Sequence, residues 1–205
     1  MTLTVGIYLF PDVEVLDFAG PYEVFTTASR VALRRAPERT PPFRVITLAA
    51  THEPVRARAG LLAVPDHALT EHPPLDLLII PGGVVDAELH RSEVIRWIAG
   101  QAARVPLVAS VCTGAFLLAQ AGLLDGREAT THWEDIADLR ARFPAVQVLE
   151  GPRWVDLGGL VTSAGIAAGI DMSLHLVARL AGLDLAHATA RQMDVPWQPD
   201  TGITT

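Results

Sequence analysis

An α/β fold of three layers, a mainly parallel sheet sandwiched between two sets of helices, is what this sequence predicts. Two observations lead there. Leu77-Leu78-Ile79-Ile80 and the run from Pro106 to Val111 are unbroken apolar segments, the pattern of strands buried on both faces. Each ends in a glycine-containing turn and is followed by a helical stretch, so strands and helices alternate. Composition agrees: 50% of residues are hydrophobic and only 6% aromatic, which suits sheet strands covered by helices and argues against disorder. No linker-like segment divides the 205 residues, so 1–205 reads as one domain with a core on both sheet faces.

In order along the chain, Leu3 to Phe10 reads as the first strand, stopped by Pro11-Asp12, and 11–20 as a loop containing Asp17. A helix is expected from Pro21 to about Arg35, with Val24, Phe25 and Ala28 on one face. Phe43–Leu48 is a second strand, and Pro54–Val64 a hairpin around Ala59-Gly60. After the strand 77–80 comes Pro81-Gly82-Gly83, then one helix over about Asp86–Arg104. The strand 106–111 meets Cys112-Thr113-Gly114 and a helix to Ala121. A short strand at Ala129–Thr131 precedes His132 and a helix from about Trp133 to Arg142. Arg153–Val155 and Leu160–Thr162 pair across Gly158-Gly159, a long helix covers Ile166–Ala181, and the tail past Asp194 is irregular.

The charge is −7 and all 16 basic residues are arginine. Without lysine there is neither a P-loop nor a Schiff-base lysine. An acidic chain without a basic cluster is a poor nucleic-acid binder, because phosphate neutralisation supplies most non-specific affinity. The single cysteine excludes an internal disulfide and fits a reducing compartment. No signal-peptide pattern opens the chain and no apolar stretch reaches membrane-spanning length, so a cytoplasmic protein without membrane contact is expected.

Three features should meet at the carboxyl ends of the strands, where open α/β sheets bind ligands: Asp17, Gly82-Gly83 and Cys112. A lone cysteine is commonly buried and inert. One on a strand-to-helix turn is exposed, and a helix N-terminus favours its thiolate; Val-Cys-Thr-Gly resembles a nucleophile elbow with sulfur for oxygen. Gly82, Gly83 and the amide of Thr113 are candidate anion-stabilising donors, although a glycine pair also serves a tight turn. Asp17, out of water beside the sulfur, would have a raised pKa and could act as an acid near neutrality. Glu23 competes for that role, but helix capping accounts for it. His132 could approach the sulfur as a base. The remaining histidines show no metal-ligand spacing, and no G-x-G-x-x-G follows a strand, so neither metal nor dinucleotide cofactor is expected.

With these motifs in hand, the sequence resembles the ThiJ/PfpI superfamily, and within it the isonitrile hydratase branch. The matching segments are Leu16-Asp17-Phe18-Ala19-Gly20-Pro21, Ile80-Pro81-Gly82-Gly83 and Ser110-Val111-Cys112-Thr113-Gly114-Ala115. Further on come Ala121-Gly122-Leu123-Leu124-Asp125-Gly126, Ala129-Thr130-Thr131-His132-Trp133 and Gly165-Ile166-Ala167-Ala168-Gly169-Ile170-Asp171. The resemblance implies a flavodoxin-like, class I glutamine amidotransferase-like sandwich, a homodimer, Cys112 as nucleophile and Asp17 as its acidic partner. Protease-like members carry histidine directly after the cysteine; Thr113 stands there, which speaks against peptidase activity. The same motifs occur in sensor-like domains fused to helix-turn-helix regulators, and the length after Gly182 is expected to be too short for such a module.

Three functions follow from these residues. The leading one is hydration of an isonitrile to an N-substituted formamide, with Cys112 as nucleophile, Asp17 as proton shuttle and no cofactor. Another is the same thiol acting on a different small electrophile such as an α-oxoaldehyde, in which His132 would carry more weight. The third is non-enzymatic: a ligand- or oxidant-sensing domain in which Cys112 is oxidised.

Overall fold

A computed structural model of the chain describes residues 1–204. The first half contains β1 (Leu3–Tyr8), α1 (Val15–Arg35), β2 (Phe43–Ala49), the β3–β4 hairpin (Val55–Arg56 and Leu62–Ala63), β5 (His67–Ala68) and β6 (Leu77–Ile80). Then follow α2 (Asp86–Leu89), α3 (Ser92–Ala102), β7 (Leu107–Val111) and α4 (Gly114–Gln120). The last part runs β8 (Glu128–Ala129), α5 (Ile136–Arg142), β9 (Gln147–Val148), β10 (Trp154–Asp156), β11 (Leu160–Ser163), α6 (Ala168–Ala181), α7 (Leu183–Gln192) and β12 (Ile203–Thr204).

Eight strands form one sheet in the order β12-β10-β11-β7-β6-β1-β2-β5. All its pairings are parallel except β10 with β11, which are joined by a tight turn. The apolar runs of β6 and β7 lie side by side in register, Leu77 opposite Leu107 and Ile80 opposite Ser110, and every residue of both is buried. Helices α1, α6 and α7 pack together over one part of the sheet, and α2, α3 and α4 form a second packed group. Burying both faces of the central strands is the dominant favourable term, roughly 25 cal/mol per Å² of apolar surface removed from water. The sandwich brings the carboxyl ends of β1, β6, β7 and β11 to one edge.

Several expectations need correction. Helix α1 begins at Val15, not at Pro21, so Asp17 sits in its first turn and not in a loop. Proline in the second turn removes one backbone hydrogen bond, and burial of Asp17, Phe18 and Gly20 holds this turn helical regardless. The expected helix 86–104 is two helices, because Arg91 between them has a non-helical backbone (ψ 88°) and turns its guanidinium onto Glu88 and Glu93. Only Glu128–Ala129 of the strand before His132 forms, paired with β9 outside the main sheet. Trp133–Asp135 is a 3₁₀ turn before α5. The helix α7 was not anticipated, and the tail returns at Ile203–Thr204 to extend the sheet beside β10. The hairpin at β3–β4 forms as expected.

Candidate active site

Cys112 follows β7 directly and has φ 55°, a left-handed conformation that a non-glycine residue adopts only under strain, of the order of 1–3 kcal/mol. Three hydrogen bonds hold it there: its N–H donates to the Ser163 carbonyl (3.2 Å), and its carbonyl accepts the Thr131 hydroxyl (2.8 Å) and the Ala115 N–H (3.3 Å). The result is a sharp strand-to-helix elbow at the start of α4. The residue is only 7% exposed.

Asp17 comes to the sulfur from α1. It is completely buried; its Oδ2 accepts the Gly82 N–H (3.0 Å), while Oδ1 has no partner among the described residues. Burial raises its pKa to about 7; the Gly82 N–H opposes this, the nearby Glu14 charge adds to it, and weaker contact with the Cys112 thiol opposes it again. That contact falls short of a well-formed hydrogen bond, since Oδ1 has no partner at bonding distance. Burial, then the Asp17 charge, pushes the Cys112 pKa up as well; the Thr113 N–H works against this and does not outweigh it. The expected thiolate-favouring effect of the helix end is overridden by desolvation, since α4 is only seven residues long and the sulfur is inside.

The glycine pair departs from its expected role. The Gly82 N–H is engaged by Asp17, and the Gly83 N–H donates to Thr113 Oγ1 (2.9 Å), whose hydroxyl in turn donates to the Gly83 carbonyl (2.9 Å). Neither is an open donor, because the loop spends both on holding the elbow and the acid together. The requirement at 82 is steric: a side chain there would stand 2.6 Å from the Thr113 nitrogen and 2.8 Å from Asp17 Oδ2. The Thr113 amide, which acts on the sulfur, is the donor that remains at the elbow.

His132 lines the same cleft as Cys112. A side chain added at Gly165, after β11, would collide with the His132 ring and stand 3.0 Å from Sγ, so ring and sulfur flank the same bare backbone. Its Nδ1 faces away, 3.4 Å from the Glu134 N–H and 3.5 Å from Asp135 Oδ2. Glu23 is elsewhere, at the surface with Thr27 and Arg30.

In front of the sulfur lies a cleft of about 430 Å³. Cys112, Thr113, Gly83 and His132 line it; Asp17 and Gly82 lie behind the elbow. Phe116, Ile166, Val84 and Val85 supply apolar wall, and the rim is strongly charged. Sequence reasoning missed that rim: Glu14 with Arg58, Asp86 with Arg142, and Glu134, Asp135 and Asp138. The Trp-Glu-Asp-x-x-Asp run after His132 was the available signal, since 134, 135 and 138 share one helical face. Among the described residues no cluster of side chains is suited to a metal ion, and no helix is long and apolar enough to cross a membrane.

Fold and site together define an α/β sandwich with a cysteine at a strained elbow and a protonatable carboxyl group against its sulfur. The profile of the DJ-1/PfpI family matches residues 4–179, and the chain belongs to that family. It is 36% identical to an isonitrile hydratase of Pseudomonas putida over 195 residues, 95% of this chain and 79% of the hydratase. It is 31% identical to the HTH-type transcriptional regulator GbdR of Pseudomonas aeruginosa over 90% of this chain, and spans about half (48%) of that regulator's length. A solved ThiJ/PfpI family protein from Pseudomonas syringae superposes with a TM-score of 0.82 at 28% identity, over 98% of this chain and 78% of the other.

Proposed function

We propose that this protein is a cysteine-dependent isonitrile hydratase, converting R–N≡C and water to R–NH–CHO. The observation that carries the proposal is the buried pair at the elbow: the Cys112 thiol and, behind it, the fully buried Asp17 carboxyl group, whose pKa of about 7 lets it give and take a proton around neutrality. The 36% identity to an isonitrile hydratase supports it. Sulfur forms a bond to the terminal isonitrile carbon while Asp17 delivers a proton to that carbon and receives the one leaving the thiol. The product is a thioimidate, R–N=CH–S–Cys112. Water then adds across C=N, its oxygen to carbon and its proton through Asp17 to nitrogen. The C–S bond breaks, the hydroxyl proton returns to sulfur, and the formamide leaves. The Thr113 amide stabilises negative charge that develops on sulfur. Cofactor chemistry has no part in this sequence, and a homodimeric, cytoplasmic, single-domain form belongs to the same proposal.

A matched assay of formamide release from alkyl and aryl isonitriles by wild type and Cys112→Ala tests it. Turnover by wild type and only background with the variant is expected; no formamide from any substrate defeats it. A second reading, action on an α-oxoaldehyde, is favoured by His132 beside the sulfur, where it could relay the carbonyl carbon's proton. Lactate from methylglyoxal in place of formamide would decide for that reading. Oxidant sensing fits less well, because oxidation follows thiolate character and this thiol is held protonated.

A further inference from the structure

The charged rim of the cleft is unevenly balanced. Arg58 is paired with Glu14 (3.1 Å), and Arg142 with Asp86 (3.3 Å). Both cations that line the cleft are therefore already met by a carboxylate of the same rim. Glu134, Asp135 and Asp138 remain, on consecutive turns leading into α5, and among the described residues no arginine pairs with any of them. Their one basic neighbour is the His132 imidazole, 3.7 Å from Glu134 and 3.5 Å from Asp135. Like charges at this spacing repel. Asp135 bears the consequence: burial raises its pKa first, His132 draws it back, and the Asp138 and Glu134 charges raise it further. The cluster faces the same cavity as the sulfur and lies close enough for Asp135 to push the thiol's pKa up.

We propose that the cleft selects small electrophiles carrying a positive charge, an ammonium or quaternary ammonium group seated at Glu134, Asp135 and Asp138 while the reactive carbon reaches Cys112. This rests on the cleft being the active site and names the substrate class it takes. A cation there relieves the repulsion among the three carboxylates. The apolar wall formed by Phe116, Ile166, Val84 and Val85 suits the short hydrocarbon linker between the charged and reactive ends. The Phe116 ring already has the Arg142 guanidinium near its face, 6.0 Å from the centroid.

The single cysteine allows a test that needs no turnover. Methanethiosulfonates convert a thiol to a mixed disulfide and release methanesulfinate. A trimethylammonioethyl reagent and a sulfonatoethyl reagent are compared, each rate divided by its rate with a free small thiol. The cationic reagent should modify Cys112 faster by about tenfold, the factor expected of a partly screened charge contact. The ratio should shrink with added salt and in Glu134→Gln/Asp138→Asn. In parallel, kcat/KM is measured for (2-isocyanoethyl)trimethylammonium and its neutral carbon isostere, 3,3-dimethylbutyl isonitrile; the cation should be preferred by a similar factor. Equal normalised reagent rates overturn the proposal, as does a reagent ratio unmoved by the double substitution, which would mean that the acids serve only the start of α5. Equal kcat/KM for the two isosteres also overturns it. If the reagents discriminate but neither isonitrile is hydrated, hydration fails and the cation preference stands.

Discussion

Asp17 and Asp156 are two buried aspartates in one fold, and they behave oppositely. Asp17 is fully buried with one backbone hydrogen bond and an oxygen without a partner among the described residues, and its pKa rises to about 7. Asp156, on β10, is 1% exposed; burial raises its pKa too, but His175 Nε2 (2.6 Å), the Gly158 N–H (2.8 Å) and the Arg179 guanidinium (2.7 Å) outweigh that and the net direction is down. Burial alone does not decide a carboxyl group's state; the donors folded around it do. Where donors and charges surround the carboxylate, it anchors β10 to α6. Where they are withheld, the pKa rises to about 7.

Exchanging each aspartate for asparagine should separate the two roles. Asp17→Asn is expected to reduce isonitrile turnover at least about a hundredfold, the lower end for general acid–base catalysis, with the melting temperature held or raised. Asp156→Asn should leave turnover of the folded protein near wild type and cost about 2–3 kcal/mol, because Arg179 and His175 lose their anion and Arg179 is partly hydrated. Steady-state rates and denaturant titrations on both variants check this; a stability loss at 17 or a turnover loss at 156 would break the contrast.

The pH responses should also run in opposite directions. Asp17 binds its proton more tightly folded than unfolded (about 7 against 3.8), so its contribution to stability is complete below about pH 4 and is lost as pH rises through about 7. Asp156, with its folded pKa depressed, stabilises above about pH 4 and loses that effect as pH falls through its folded value. Turnover that requires protonated Asp17 should decline as pH rises through about 7. Unfolding free energies and kcat/KM from pH 4 to 9 provide the measurement, with Asp17→Asn expected to lose the stability slope near 7.

Removing the Asp17 charge should also ease ionisation of the thiol. Alkylation of Cys112 by neutral iodoacetamide at pH 9 is therefore expected to be several-fold faster in Asp17→Asn than in wild type. An unchanged rate would show that desolvation alone holds the thiol protonated. A turnover effect smaller than that at Asp17 is expected at Gly165, where alanine forces the His132 ring away from the sulfur. A turnover loss of about tenfold is predicted, within what a displacement of about 1 Å near the chemistry can cause; no loss would remove His132 from the reaction.

Much of this architecture was legible in local sequence. The apolar runs at 77–80 and 107–111 are buried on both faces whatever surrounds them, and Cys-Thr-Gly after a strand already implies an elbow. Asp17, Gly82, Thr113 and His132 could be nominated from their positions after strands and from a family resemblance. What local pattern could not supply was partnership. Gly82 and Gly83 read as open donors until the fold showed their N–H groups given to Asp17 and Thr113. The helix start at Val15, the break at Arg91 and the return of Ile203–Thr204 to the sheet each depend on contacts far away in sequence. Residue types and their order were enough to specify which groups could react. Their proton states were decided by the tertiary structure alone, because desolvation and the count of donors around a carboxyl group or thiol arise only when distant segments close over it.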